Sequence, residues 1–269
     1  MEKVNPSALI VPLLFLFPLS TLFLWLLQPL GDLFIVDEAP TTLTSTSLLI
    51  GISVGLALAV CFLKAAPRKM FFLKVLLCVS WSLLYMGLFT LYFTALFLKL
   101  WPLDLALLYA MPLALASFIV LFLLNRRLGG FFSRFSVVLM ASLTGPFLAI
   151  VLPILWFMLL ASIAVIYDVL AAKRGFLGTL AEGVVKEGVV GLTYPTGKVH
   201  IGLGDLILAS AIFSASLCLN WLLASTVAFM LLLGMYLNAL LLRYWKVLPG
   251  TPLTIGLALV VMAIFFMLA

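Results

Sequence analysis

Two of the nine acidic residues in this 269-residue chain stand where acids are costly: Asp168 in SIAVIYDVLAA and Asp205 in HIGLGDLILASA, each flanked by apolar residues on both sides. A carboxylate at bilayer depth costs about 3 kcal/mol or more unless it is paired, protonated or facing water, which makes such a residue a candidate for function. For either acid taken alone, the plain alternative is a hydrogen bond across helices or the cap of a broken one. Two that meet can do chemistry. In a low-dielectric site both cannot ionise easily, so they are expected to hold one proton between them near neutral pH. The ionised carboxylate then takes a proton from a water that attacks an amide carbonyl, and the protonated one polarises the carbonyl oxygen and supplies the leaving amine.

The neighbours of the acids suit that chemistry. Gly202 and Gly204, on either side of Leu203, remove side chains just before Asp205 and allow close backbone approach or a locally unwound helix start, although helix packing alone also uses glycine. Further on, Lys246-Val247-Leu248-Pro249-Gly250-Thr251-Pro252 opens the last apolar segment. Its prolines and glycine leave carbonyls free at roughly the depth of the acids, while the plain alternative is an ordinary helix start.

The elements that position these residues follow from composition. The chain is 66% hydrophobic and 9% charged, whereas soluble domains run near half apolar and a quarter charged. That excludes a soluble enzyme, a disordered chain and a disulfide scaffold, and leaves an all-α polytopic membrane protein. A crossing takes about 20 apolar residues. Nine candidate spans result, at approximately 8–30, 46–63, 71–98, 103–124, 134–150, 153–172, 201–219, 221–242 and 251–268. The apolar run from Phe135 to Ala172 is too long for one crossing and requires a tight turn near Leu152-Pro153. The seventh and eighth spans are divided only around Asn220. No linker splits the chain, so it reads as a single membrane domain over 1–269. Its largest polar stretch, Lys173 to His200, has Glu182 and Lys186 at helical spacing for a short interfacial helix.

Charge orients the spans. With the N-terminus cytoplasmic, 14 of 15 basic residues fall on the inside, and only Lys99 lies outside. Nine spans with the N-terminus in and the C-terminus out is the consistent topology for a multi-pass cell-membrane protein. Asp168 then lies five residues before Lys173, and Asp205 five residues after His200. Both carboxylates are expected about 7–8 Å beneath the same cytoplasmic surface, on antiparallel neighbouring helices.

Other chemistry finds little support. Cys61, Cys78 and Cys218 sit in apolar stretches without a CxxC pair, His200 is the single histidine, and there is no HExxH. Neither a metal site nor a cofactor is expected. The net charge of +6 lies in loops and forms no basic stripe for nucleic acid.

At Tyr167-Asp168, Gly202-Leu203-Gly204-Asp205 and Pro249-Gly250-Thr251, the chain resembles the presenilin and signal peptide peptidase family of GxGD intramembrane aspartyl proteases. That family carries YD in helix six, GxGD in helix seven and PAL at the opening of helix nine. The resemblance implies a presenilin-like nine-helix fold and catalysis by Asp168 and Asp205. It further implies active-site support from Tyr167, Gly202, Leu203 and Gly204, and substrate binding at Pro249, Gly250 and Thr251. Gly-Thr in place of Ala-Leu in the third motif bears on substrate preference. The implied substrates are transmembrane helices, unwound and strand-paired along Thr193 to Ile201. The charge-derived orientation matches the presenilin sense, and the compact 173–200 loop resembles that of an archaeal homologue working without accessory subunits. Self-association of the chain stays open on this reading. The rival is a proton- or ion-coupled transporter using the same two aspartates as a relay, which the one-sided placement of the acids disfavours. A prepilin-peptidase relative, also GxGD-bearing, is disfavoured by the nine spans.

Overall fold

The structure, a computed structural model, describes residues 6–34, 70–128, 130–173, 193–196, 199–242 and 251–268. Eight helices and one hairpin make it up. They are α1 (Pro6–Phe34), α2 (Met70–Phe97), α3 (Leu103–Leu128), α4 (Gly130–Val151), α5 (Ile154–Lys173), β1 (Thr193–Thr196), β2 (Val199–Gly202), α6 (Leu203–Leu219), α7 (Trp221–Leu241) and α8 (Thr251–Leu268). Eight of the nine predicted spans have a helix within a few residues of their expected bounds. The span at 46–63 and the interfacial helix around Glu182 lie outside the described residues. Among the described residues, Leu9–Gln28, Leu103–Leu124, Gly130–Val151 and Trp221–Leu241 are long and apolar enough to cross a membrane. Four shorter apolar helical stretches accompany them, Ser82–Phe97, Ile154–Leu170, Leu203–Leu219 and Pro252–Leu268.

The contacts group the chain into two units, 29–118 and 1–28 with 119–269. In the first, α2 and α3 meet at a turn closed by an aromatic cluster. Trp101 stacks 5.4 Å from Phe97 and 5.3 Å from Tyr109, as amphipathic rings do near a membrane–water interface. On α3 the buried residues are Ala106, Ala110 and Ala114, four apart, whereas Leu107, Leu108, Met111 and Leu115 face outward. A helix apolar on every side is what a lipid-facing span requires.

The second unit holds both acids. Residues Leu9, Leu13, Leu16, Ser20, Leu24 and Leu27 of α1 form one buried stripe, with Leu14, Phe15, Leu22 and Trp25 exposed opposite. The core is unusually rich in small and hydroxyl-bearing residues, which let helix backbones approach in a bilayer. Ser20 of α1 and Ser210 of α6 share a buried hydrogen bond of 2.7 Å. Gly145 of α4 lies so close to Ser210 that a β-carbon there would overlap its side chain and come within 2.7 Å of the Ala211 amide nitrogen. This contact lies at the α4–α6 interface, the most extensive in the unit. Buried hydroxyls of Ser142, Thr144 and Ser216 donate to carbonyls one turn back, at 2.7–2.8 Å.

The expected breaks occur where the chain demands them. Leu152-Pro153 separates α4 from α5, since a proline cannot continue the hydrogen-bond ladder. Asn220, extended at φ −161° and ψ 135°, ends α6 and caps α7 by accepting from the Leu222 amide at 2.9 Å.

Candidate active site

Asp205 is not mid-helix. The sequence reading begins its helix at 201, but Val199–Gly202 instead pairs antiparallel with Thr193–Thr196, so α6 starts at Leu203 and Asp205 falls in its first turn. The reason is local pairing: Tyr194 and Ile201 stand opposite each other in the hairpin and are both buried, β1 against α4 and β2 against α6. Their burial holds the second strand extended up to Gly202. An acid in a first turn faces free amide groups and the positive end of the helix dipole, a placement that suits a carboxylate.

Gly202 has φ −66° and ψ 141°, open to any residue, so its glycine is not conformationally required. The Asp205 carboxylate folds back over it. A β-carbon at 202 would sit 3.6 Å from Oδ2 of Asp205, in ordinary contact. At Gly204, which is exposed, a β-carbon would meet nothing within 4 Å. The two glycines therefore leave the flank of Asp205 open instead of allowing tight packing. Leu203, between them, is buried.

Asp168 lies near the C-terminal end of α5, half-buried, beside the exposed Tyr167. Its charge acts on the carboxyl group of Asp205, which is also half-buried. Contact between α5 and α6 is slight among the described residues. Among the described elements α8 packs against both of them, and α4 and α7, with Ser20 and Phe17 of α1, also pack on α6. Thr251 opens α8, while Pro249 and Gly250 lie outside the described residues. Thus the segment following the third motif stands between the acid-bearing helices and touches each.

Around Tyr194, burial pushes the phenol above its ordinary range, and the Arg134 guanidinium of α4 draws it partly back. Among the described residues, no three His, Cys, Asp or Glu side chains gather where a metal could sit.

Several supporting residues escaped the sequence reading. Gly145 has Ala141 four residues before it, the small-xxx-small spacing of close helix contacts. Asn238 is an amide within an apolar helix, and its Nδ2 donates to Oγ1 of Thr254 at 3.0 Å in the α7–α8 interface.

No protein-family model matches the sequence, and no curated protein matches it. Solved structures do. The chain is similar to a presenilin-family intramembrane aspartate protease crystallised in space group C222, with a TM-score of 0.65 and 19% identity over 98% of this chain and 99% of that one. A presenilin-family intramembrane aspartate protease in space group P2 matches with a TM-score of 0.57 and 20% identity, over 97% of both chains. The presenilin-family fold accordingly extends over nearly the whole chain.

Proposed function

We propose that this chain is an intramembrane aspartyl protease that hydrolyses peptide bonds within transmembrane helices, with Asp168 and Asp205 as the catalytic pair. The carrying observation is Asp205 in the first turn of α6, within reach of the charge on Asp168, in a presenilin-type fold. One carboxylate removes a proton from water as the water oxygen adds to the scissile carbonyl carbon. The other gives its proton to the carbonyl oxygen. When the tetrahedral adduct collapses, the C–N bond breaks and the amine leaves with a proton from the pair, while a hydroxyl of the adduct gives its proton to the pair as the new carboxyl group forms, so the pair ends with one proton again.

Substrate has to arrive unwound, because a helix hides its carbonyls in its own hydrogen bonds. The hairpin β1–β2 runs into Asp205 with only Leu203 and Gly204 between, and its edge offers backbone groups to an extended peptide. Open space beside Gly204 admits that peptide, and substrate binding at Pro249, Gly250 and Thr251 is what the family resemblance implies. Tyr167 supports the site next to Asp168. The topology in this reading has the N-terminus cytoplasmic and the C-terminus outside, with the acids toward the cytoplasmic face.

The test compares wild type, Asp168→Ala and Asp205→Ala, purified in detergent, on a generic single-span substrate. Each substitution is expected to lower cleavage by about 10²–10⁴-fold or more, and a transition-state aspartyl-protease inhibitor to block wild type. Undiminished cleavage by either variant removes the mechanism. Ion or solute flux abolished by the same substitutions, without cleavage, would establish the transporter instead.

A further inference from the structure

One buried polar contact in the second unit that the chemistry leaves unused lies between α7 and α8. Asn238 and Thr254 are both buried, at 4% and 5% exposure, and their side chains are joined by the 3.0 Å hydrogen bond from Nδ2 to Oγ1. One turn earlier on α7, Gly234 touches the same stretch of α8. A β-carbon at 234 would come within 2.6 Å of both the Leu253 carbonyl oxygen and the Thr254 α-carbon, backbone atoms that cannot step aside alone. The two contacts fall on the first turn of α8, immediately after Pro249-Gly250-Thr251, and α8 is the helix that packs on both α5 and α6.

We infer that Gly234 and Asn238 of α7 form a clamp on Leu253 and Thr254 that sets how α8 lies between the two acid-bearing helices, making Asn238 a positioning residue for substrate. The inference rests on the protease reading for its kinetic consequence and on the contacts alone for its structural one. In hydrocarbon, a hydrogen bond between an amide and a hydroxyl has no water to replace it, so its loss leaves two polar groups to find other partners. A helix start that loses this bond beside the close backbone contact then gains freedom to shift along its neighbours. A shift there changes the width available to the peptide without touching either carboxylate.

The experiment is a double-mutant cycle on the full chain in detergent, with Asn238→Ala, Thr254→Val and the pair, and Thr254→Ser as the conservative variant that keeps the hydroxyl. Each single variant is expected to raise KM about three- to tenfold, the size of one lost neutral hydrogen bond, with kcat changed less. The pair is expected to be no worse than either single variant, and Thr254→Ser to restore wild-type KM. In parallel, T251C in a background with Cys61, Cys78 and Cys218 replaced by serine is labelled with a water-soluble maleimide. Asn238→Ala is expected to accelerate labelling at least about threefold, in keeping with the loss of one such bond. Additive effects on KM, a lowered thermal midpoint with KM unchanged, or an unaltered labelling rate would each overturn the clamp. If wild type cleaves nothing, the protease reading fails by itself, and the labelling rate still decides the clamp.

Discussion

Replacing Gly145 by alanine tests how tightly the fold holds Asp205. The added methyl would overlap the Ser210 side chain and lie 2.7 Å from the Ala211 amide nitrogen, where carbon requires about 3.5 Å or more. The Ala211 contact is with backbone, so rotamer changes cannot relieve it, and α4 and α6 must part by about 1 Å. Overpacking of this kind typically costs about 1–3 kcal/mol. Disturbing the 2.7 Å bond between Ser20 and Ser210 adds about 1 kcal/mol. Asp205 is five residues from Ser210, about 7.5 Å along the same helix, so a rigid α6 carries the displacement to the carboxylate. A shift of about 1 Å in a catalytic group can lower turnover by about 100-fold. The expected outcome for Gly145→Ala is a lowered thermal midpoint in detergent together with a kcat reduced by one to two orders of magnitude, on the same scale. Adding Ser210→Gly removes the side-chain overlap but leaves the Ala211 contact, so rescue should be partial. Gly87→Ala, whose β-carbon would meet nothing within 4 Å, serves as the control and should match wild type. A Gly145→Ala protein with wild-type midpoint and turnover would refute the argument that α4 sets the place of Asp205.

Three further outcomes follow from the same contacts. Gly234→Ala, which sets a methyl against the Leu253 carbonyl and Thr254 α-carbon, should lower the thermal midpoint by an amount matching about 1–3 kcal/mol, read by a fluorescence melt in detergent. At the motif glycines, Gly202→Ala should leave the melt unchanged because its methyl makes only ordinary contact, whereas Gly204→Ala should leave the melt unchanged yet raise KM by filling space beside Asp205; equal KM values for Gly204→Ala and wild type would show that peptide does not pass there. The raised Tyr194 phenol makes docking of the hairpin sensitive to alkali. Below the ordinary phenol pKa of about 10 both docked and undocked forms are neutral and this stability is fully present; as pH rises further the undocked form ionises first and the stability is lost. Midpoints measured from pH 8 to pH 11, on the about-10 scale of a free phenol, should fall for wild type and fall less for Tyr194→Phe.

Much of the helical frame was legible because apolar runs of span length and the proline and asparagine breaks are set by local chemistry. Pro153 lacks the amide that a continuing helix would use, and Asn220 carries a capping side chain, although Pro112 and Pro146 are accommodated inside α3 and α4. The acids were legible for the same reason, since Asp168 and Asp205 violate the apolar composition around them. What stayed hidden depends on partners distant in the chain. The start of α6 shifts from 201 to 203 because Tyr194 pairs with Ile201 and both are buried, a tertiary effect that overrides the apolar run. Helices with this little amphipathic character carry no stripe that says which neighbour each one faces. Small residues decide that instead, at Gly145 against Ser210 and Gly234 against Leu253, and a glycine in an apolar run reads the same whether or not a helix rests on it.

The slight contact between α5 and α6 is itself a requirement of the proposed chemistry. Two helices in close contact lie about 8–10 Å apart with their side chains interdigitated, and such an interface holds neither a water nor an extended peptide, which as a strand needs about 5 Å on each side of its backbone for side chains. Carboxylates on helices packed together would be a structural hydrogen-bonded pair. Carboxylates on helices held apart, yet near enough for one charge to act on the other, can face a chain between them. Holding them apart needs a spacer that contacts both, and α8 is that helix among the described residues. Its own position is set from the far side by α7, while α4 sets that of α6. On this reasoning substitutions at the α4–α6 contact act on kcat through Asp205, and those at the α7–α8 contact act on KM through the space the peptide occupies. Gly145→Ala and Asn238→Ala should therefore divide between the two constants, and both variants depressing the same constant alike would refute the spacer role of α8.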